Sequence, residues 1–317
     1  MEVKEQIVKF LNKRPDVIAA YGYGSGVFKQ AGYKDTDKPQ IDLILAVKDI
    51  RAWHLENIEK NPDDYSFIGR VFYSNASRKK IKGFNGITYQ SNILEKNVVL
   101  KLKSKNGMER EIEENSQMFK YGVIEYDDLE KQLKTWNRFY LVGRLQKNIL
   151  KIKSTKNMDE LINLNRESAL ITALYFLEDE ATLTELYEKI VSLSFIGDTR
   201  MRFFENPNKI KNIVSKAKEE FDLLYKKENP YFEINGEKIK INRKNVEKAF
   251  LPPSLAYALI DVEKDDLKAM REGIYQFLKE KNKEESIRQT LHGIETNGIV
   301  RSADYALQKM KKRIYKK

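Results

Sequence analysis

Between Val17 and Val47 the chain reads VIAAYGYGSGVFKQAGYKDTDKPQIDLILAV. This is an apolar strand ending in a Gly-Ser-Gly turn, then a polar loop, then a second apolar strand with one acid, Asp42, set into it. The pattern suits phosphate handling. Gly24 and Gly26 let the backbone approach a ligand and adopt positive φ, so that main-chain N–H groups can point at phosphate oxygens. Ser25 adds a hydroxyl. An Asp among Ile41, Leu43, Ile44 and Leu45 is costly unless something compensates its charge, and a divalent cation is the usual compensation. A purely structural turn beside a strand-edge Asp is the alternative reading of the same residues.

The totals narrow what such a platform could serve. A chain of 317 residues, 41% hydrophobic and 33% charged, has room for two domains with separate cores. No apolar run reaches the length of a membrane-spanning helix, and MEVKEQIVKFLNK lacks the features of a signal or transit peptide, so a soluble chain is expected. With no cysteine, disulfides, thiolate catalysis and Cys-ligated zinc are excluded, and an intracellular setting fits. His54 and His292 alone make a His-rich metal site or a Ser-His-Asp triad improbable, which leaves oxygen-ligated Mg²⁺ or Mn²⁺. Lys and Arg outnumber Asp and Glu by 58 to 47, a net +11 that points to an anionic partner: nucleotide, nucleic acid or lipid surface.

Periodicity predicts an opening helix through Ile7 and Phe10, and a helix capped by Asp49 that ends at Asn61-Pro62. Residues 78–92 read as a basic glycine-containing loop carrying Phe84 and Tyr89. A third strand over Phe119–Glu125 places Lys120 and Gly122 on one face and Phe119, Tyr121 and Val123 on the other. A helix capped by Asp127 or Asp128 follows and runs on to Lys147. Strands interleaved with helices predict an α/β domain over residues 1–150. Residues 151–250 read as mostly helical, with a capping box at Thr182–Glu185 and a hairpin at Asn235-Gly236, which suggests a winged-helix-like domain. In the segment 251–317 the last helix carries Ala303, Ala306, Leu307, Met310 and Ile314 on one stripe. Lys309, Lys312 and Arg313 beside that stripe suit an anionic membrane surface.

Taken together, these stretches resemble the mitochondrial-type phosphatidate cytidylyltransferases, the translocator assembly and maintenance family. The likeness rests on YGSGVFKQAG at 23–32, IDLILAV at 41–47, AWH at 52–54, KYGVI at 120–124 and WNRFYLVGRLQK at 136–147. It continues through LSFIGDTRM at 193–201 and SIRQTLHGI at 286–294. The resemblance implies a DNA-polymerase-beta-like nucleotidyltransferase domain joined to a winged-helix-like domain, acting on CTP and phosphatidate with Mg²⁺ at an anionic membrane surface. It also implies that Gly24, Ser25 and Gly26 cradle phosphates and that Asp42 binds metal. The superfamily's paired acid is missing, since Asp42 is followed by Leu43-Ile44. Asp37, in a D-x-D of the polar loop with Asp35, is the second metal candidate, and Glu125 a guess for a third acid. His292 stands where the family more usually has Lys.

A lipid phosphate accounts for so few acids. Its second pKa is around 6, so near neutral pH the nucleophile is already largely dianionic and needs compensation of charge rather than a general base. Lys120, Arg144 and Lys147 are the candidate catalytic cations, with Arg288 and Gln289 toward the lipid phosphate. Tyr89 and Asn92 are candidates for holding ribose or base. The expected setting is cytoplasmic, on the inner face of a membrane, without nucleic acid. Two alternatives remain: a nucleotidyltransferase acting on RNA, protein or a small hydroxyl compound, and a non-catalytic winged-helix protein that binds nucleic acid.

Overall fold

The computed structural model describes residues 2–28, 39–82, 87–103, 109–198 and 207–288. The two apolar runs of the opening stretch form β1 (Ala19–Tyr23) and β2 (Ile41–Val47), antiparallel, with Tyr23 opposite Asp42. β4 (Glu109–Glu125) runs parallel to β2 and sets Lys120 opposite Asp42, while β3 (Ile87–Lys103) runs antiparallel along its outer side. β5 (Leu150–Lys153) pairs with β1, giving a five-stranded mixed sheet in the order β3-β4-β2-β1-β5.

Alternation of side chains gives this sheet two unlike faces. On one, Leu43, Leu45, Phe119, Tyr121 and Val123 pack with residues of α1 (Val3–Leu11) and α2 (Ile50–Lys60). On the other, Tyr21, Tyr23, Ile44, Ala46 and Ile124 share a core with α5 (Tyr126–Thr135), α6 (Tyr140–Leu145) and α7 (Lys156–Leu174). That core continues into the helices of the C-terminal half. The alternation expected in KYGVI is the one found.

Local signals place the ends of several elements. Asp49 accepts a hydrogen bond from the Ala52 amide at 2.9 Å, and α2 stops at Lys60, before Pro62. Thr182 and Glu185 form the reciprocal capping box that starts α8 (Leu183–Leu193). Asn235-Gly236 turns β7 (Phe232–Asn235) into β8 (Lys238–Ile241), and with β6 (Glu180–Thr182) these form a second sheet in the order β6-β8-β7. The remaining helices are α3 (Phe67–Asn75), α4 (Arg78–Lys82), α9 (Lys209–Lys216), α10 (Lys218–Tyr225), α11 (Arg243–Lys248), α12 (Pro253–Ala258) and α13 (267–288). Among the described residues no helix is long and apolar enough to cross a membrane.

Three expectations are corrected. Residues 78–92 are not one loop, since α4 and the start of β3 occupy 78–82 and 87–92, and the strand at 119–125 is the inner end of a much longer hairpin. The helix expected from Asp127 to Lys147 is broken at Trp136, which adopts φ 55°. A bulky residue in the left-handed region costs roughly 1 kcal/mol or more. Complete burial of Trp136 and its indole N–H donated to Asn165 at 3.0 Å offset that cost. The break frees α6 to turn toward the sheet.

Behind the sheet lies a closed polar network. Arg14 donates to both carboxylate oxygens of Asp64, at 3.0 and 2.9 Å, and Tyr121 donates to the same carboxylate at 2.7 Å. Asn57 bridges to the Tyr65 and Tyr121 hydroxyls, and His54 joins Tyr65 to Thr88 while stacking on Tyr73. His54 is thus a packing residue, on the sheet face opposite Asp42.

Candidate active site

The register carries three candidate side chains across the sheet in one row. Tyr23 on β1, Asp42 on β2 and Lys120 on β4 are successive cross-strand partners, and directly paired residues share a face. Above this row the chain leaves β1 through Gly24, at φ +77°, and the amides of Val27 and Phe28 both donate back to the Gly24 carbonyl. A Cβ on Gly24 would stand 3.2 Å from Asp42 Oδ2. A Cβ on Gly26 would lie 2.1 Å from the Gln40 carbonyl oxygen. The turn therefore sits directly over the half-buried Asp42 carboxylate, and only glycine keeps that space open.

Gly122 has a similar consequence one step along β4. A Cβ there would meet the Tyr89 ring at 2.5 Å, so the missing side chain lets that ring lie across the sheet, with Lys120 Nζ 4.9 Å from its centre. Next to Tyr89 the ladder is irregular: Gln90 pairs with Tyr121 and Ile93 with Phe119, so Ser91 and Asn92 together oppose Lys120. Bulges of this kind re-aim a strand beside functional sites. The side chain of Asn92 lies outside the described structure.

Arg144 comes to the same row from α6. Its guanidinium lies 3.7 Å from the centre of the Tyr140 ring and 5.3 Å from that of Tyr23, and it donates to the Tyr140 hydroxyl at 2.6 Å. Its Nε is buried without a hydrogen-bond partner, as is the Tyr89 hydroxyl. Burial, then the Asp42 charge, pushes the Tyr23 hydroxyl above its ordinary pKa, with Arg144 opposing, so Tyr23 remains a neutral donor.

One turn further, Lys147 donates to Ser194 Oγ at 2.7 Å and lies 4.4 Å from the centre of the Phe195 ring. Lys209 Nζ stands 5.1 Å from the same ring. Gly143 permits this approach, because a Cβ there would meet Ser194 Cβ at 2.4 Å. Burial pushes the Lys147 ammonium well below the ordinary lysine value of 10.5, Arg144 and Lys209 push it further, and Asp198 opposes them. Between the lowered value and 10.5 the unfolded chain binds more protons, so this group makes stability rise with pH across that window. An anion beside Nζ reverses the shift. Calorimetric titration of pyrophosphate in two alkaline buffers of unlike ionisation enthalpy should show proton uptake within the window, and Lys147→Met should abolish it.

The arrangement is a carboxylate under a glycine turn with Lys120 beside it on the next strand, Arg144 over the Tyr23 and Tyr140 rings, and Lys147 beyond Arg144. A profile of the family described as "Phosphatidate cytidylyltransferase, mitochondrial" matches residues 4–249. The chain belongs to that family. A relative of that name from Schizosaccharomyces pombe is 38% identical over 226 residues, covering 71% of this chain and 53% of the relative. One from Dictyostelium discoideum is 35% identical over 245 residues with the same two coverages, and one from Danio rerio is 28% identical over 333 residues, covering 96% and 93%. The chain thus spans about half the length of the first two relatives. Their names place those proteins in mitochondria, and the cytoplasmic setting expected for this chain finds no support.

Within this family member the structure brings together Gly24, Gly26, Asp42, Tyr89, Lys120 and Arg144, with half-buried Ser25 in the same turn, and sets Lys147 beyond Arg144 against Ser194 and Phe195. Arg288 lies on α13 and is paired with Glu284 of the same helix. Glu125 is not at the site: it sits five residues beyond Lys120 on β4, bound to Arg78 at 2.6 and 2.9 Å and to the Ile50 amide at 3.2 Å. Asp37, Gln289, His292, Lys309, Lys312 and Arg313 lie outside the described residues. Among the described residues no group of three His, Cys, Asp or Glu is placed to hold a metal. A Mg²⁺ held by one or two carboxylates and by substrate phosphates suits the donor set nonetheless, since Gly24 leaves room beside Asp42. Sequence reasoning missed Tyr23, Tyr140 and Lys209. Tyr23 and Tyr140 fall inside the quoted motifs but read as core aromatics, and Lys209 reads as one lysine of a solvated helix.

Proposed function

We propose that the chain is a phosphatidate cytidylyltransferase, converting CTP and phosphatidate to CDP-diacylglycerol and pyrophosphate. The observation that carries this reading is the row Tyr23–Asp42–Lys120 under the Gly24 turn, joined by Arg144 from α6. The β1-turn-β2 unit is read as the core of a DNA-polymerase-beta-like nucleotidyltransferase domain, followed by a winged-helix-like unit made of α7, α8 and the β6-β8-β7 sheet.

In this reading the Gly24–Gly26 turn holds the triphosphate and Asp42 holds Mg²⁺, with Asp37 as the second candidate ligand. The ion supplies charge neutralisation at the phosphates. Lys120 and Arg144 compensate the charge of the α-phosphate and of the incoming lipid phosphate, and Lys147 that of the leaving pyrophosphate. Tyr23 donates as a neutral hydroxyl, Tyr140 orients the Arg144 guanidinium, and Tyr89 and Asn92 hold the nucleoside. No side chain is asked to remove a proton from the nucleophile, which arrives ionised, so positioning and electrostatics provide the rate. The basic residues of the C-terminal stretch, Lys309, Lys312 and Arg313, hold the chain at an anionic bilayer, and Arg288 and Gln289 face the lipid phosphate.

Incubation with Mg²⁺, α-labelled CTP and phosphatidate vesicles should move label into the organic phase. Diacylglycerol, which offers a hydroxyl instead of a phosphate, should accept none. Arg144→Gln should lower kcat/KM about 100-fold, the usual cost of one preorganised charge donor. Equal transfer to diacylglycerol or to RNA would replace this reading with the hydroxyl-acceptor one.

A further inference from the structure

We infer that the outer face of α3 is a bilayer-contact surface, separate from the basic C-terminal stretch. Phe67 is 75% exposed, Ile68 55% and Val71 48%, and helical geometry gathers the three on one side of a single helix. The opposite side of α3 is anchored, with Gly69 and Tyr73 buried. Ser66 accepts from the Gly69 amide at 2.9 Å and fixes the start of the helix. Three large apolar side chains side by side in water are not explained by the fold, because none contributes to either core.

Charge identifies the occupant. Residues 65–82 contain the five cations Arg70, Arg78, Lys79, Lys80 and Lys82 and no acid. Arg70, Lys79 and Lys80 are exposed, and Lys80 Nζ lies 5.7 Å from the centre of the Phe72 ring, so the basic α4 borders the apolar face. Apolar side chains bordered by Lys and Arg match an anionic lipid surface, where the apolar groups enter the acyl boundary and the cations meet the headgroups. A second copy of this chain would bring the exposed Arg70, Lys79 and Lys80 against themselves.

Its place in the fold gives this surface a use. Tyr73, on the inner side of α3, accepts from Gln90 at 3.1 Å, and Gln90 is the neighbour of Tyr89 on β3, an edge strand of the sheet. The α3 surface and the Tyr89 side of the site therefore lie on the two faces of one edge strand. A bilayer touching α3 lies close to the edge through which a lipid headgroup would come to Lys120. This use rests on the lipid-substrate reading given above.

The test is sedimentation with phosphatidylcholine vesicles, with and without phosphatidate, in the absence of CTP. The variant Phe67→Ser/Ile68→Ser/Val71→Ser should bind the phosphatidate vesicles at least about tenfold more weakly. Its melting temperature and its turnover of a short-chain soluble phosphatidate should be unchanged. Lys79→Gln/Lys80→Gln should weaken binding to the anionic vesicles only. Should the triple variant fold poorly, Phe67→Ser alone, at the most exposed of the three, should still weaken binding several-fold. Vesicle binding unchanged in well-folded variants overturns the inference. So does a wild-type dimer that the triple variant converts to monomer with vesicle binding intact. Failure of the wild type to turn over the short-chain lipid would instead refute the enzymatic reading, and the vesicle measurement would still decide the surface.

Discussion

Asp42→Asn is expected to lower kcat/KM for cytidylyl transfer by about 10³-fold, roughly 4 kcal/mol of transition-state stabilisation. The substitution keeps the shape of the side chain and the β2 ladder, in which residue 42 pairs through its backbone with Tyr23 and Lys120. What it removes is the negative charge in the space that Gly24 leaves open. In the proposed mechanism a divalent cation would then lose its protein anchor, and Lys120, the cross-strand partner of residue 42, would lose the neighbouring anion. The Tyr23 hydroxyl should return part of the way toward its ordinary pKa, because Asp42 is the second cause of its rise after burial. Initial rates across a Mg²⁺ series, with thermal melts alongside, check this: a large fall in rate with a melting temperature within a few degrees of wild type supports the assignment. Turnover within about threefold of wild type would remove Asp42 from the chemistry.

Asp64→Ala is expected to cost about 3–5 kcal/mol of folding stability, the usual consequence of stranding one partner of a buried ion pair. Its carboxylate accepts two hydrogen bonds from Arg14 and one from Tyr121. The Arg14 guanidinium also donates to the Phe10 carbonyl at 2.7 Å and lies over the Phe10 ring, which stacks on Phe119 at 4.0 Å. Removing the carboxylate leaves a buried cation, the Tyr121 hydroxyl and the Asn57 amide each short of a partner, on the side of the sheet that holds α1 and α2. A domain whose total stability is about 5–15 kcal/mol would lose a large share of it. Urea unfolding of both proteins measures the difference, and a loss below about 1 kcal/mol would mean that Arg14 finds compensation elsewhere.

Some of this site could be read from the chain because a few residues break their local pattern. Asp42 interrupts an apolar strand, and Gly24-Ser25-Gly26 interrupts the path out of another; the two irregularities prove to be neighbours, since a Cβ on Gly24 would crowd the Asp42 carboxylate. Strand alternation sufficed to separate Lys120 and Gly122 from Phe119, Tyr121 and Val123, and only the β2–β4 register then set Lys120 beside Asp42. Capping chemistry placed the starts of α2 and α8. The outer part of the β3–β4 hairpin was not legible, because EREIEENSQ and LEKNVVLKLK are rich in Glu, Lys and Asn, which strands disfavour. Trp136 gave no warning of a break, since a left-handed tryptophan exists only by virtue of the tertiary burial around it. Lys209 belongs to the cluster through Phe195 and Lys147, a three-body arrangement of residues far apart in sequence that no local spacing encodes.

The measurement closest to the central claim follows the oxygen atoms. Phosphatidate carrying ¹⁸O in its phosphate is incubated with CTP and Mg²⁺, and both products are examined by mass spectrometry. Attack by the lipid phosphate on the α-phosphorus of CTP predicts CDP-diacylglycerol that retains all the label, one ¹⁸O bridging the two phosphorus atoms, and pyrophosphate that holds none. Label appearing in pyrophosphate or inorganic phosphate, or the absence of a lipid-linked cytidylate, would contradict the account.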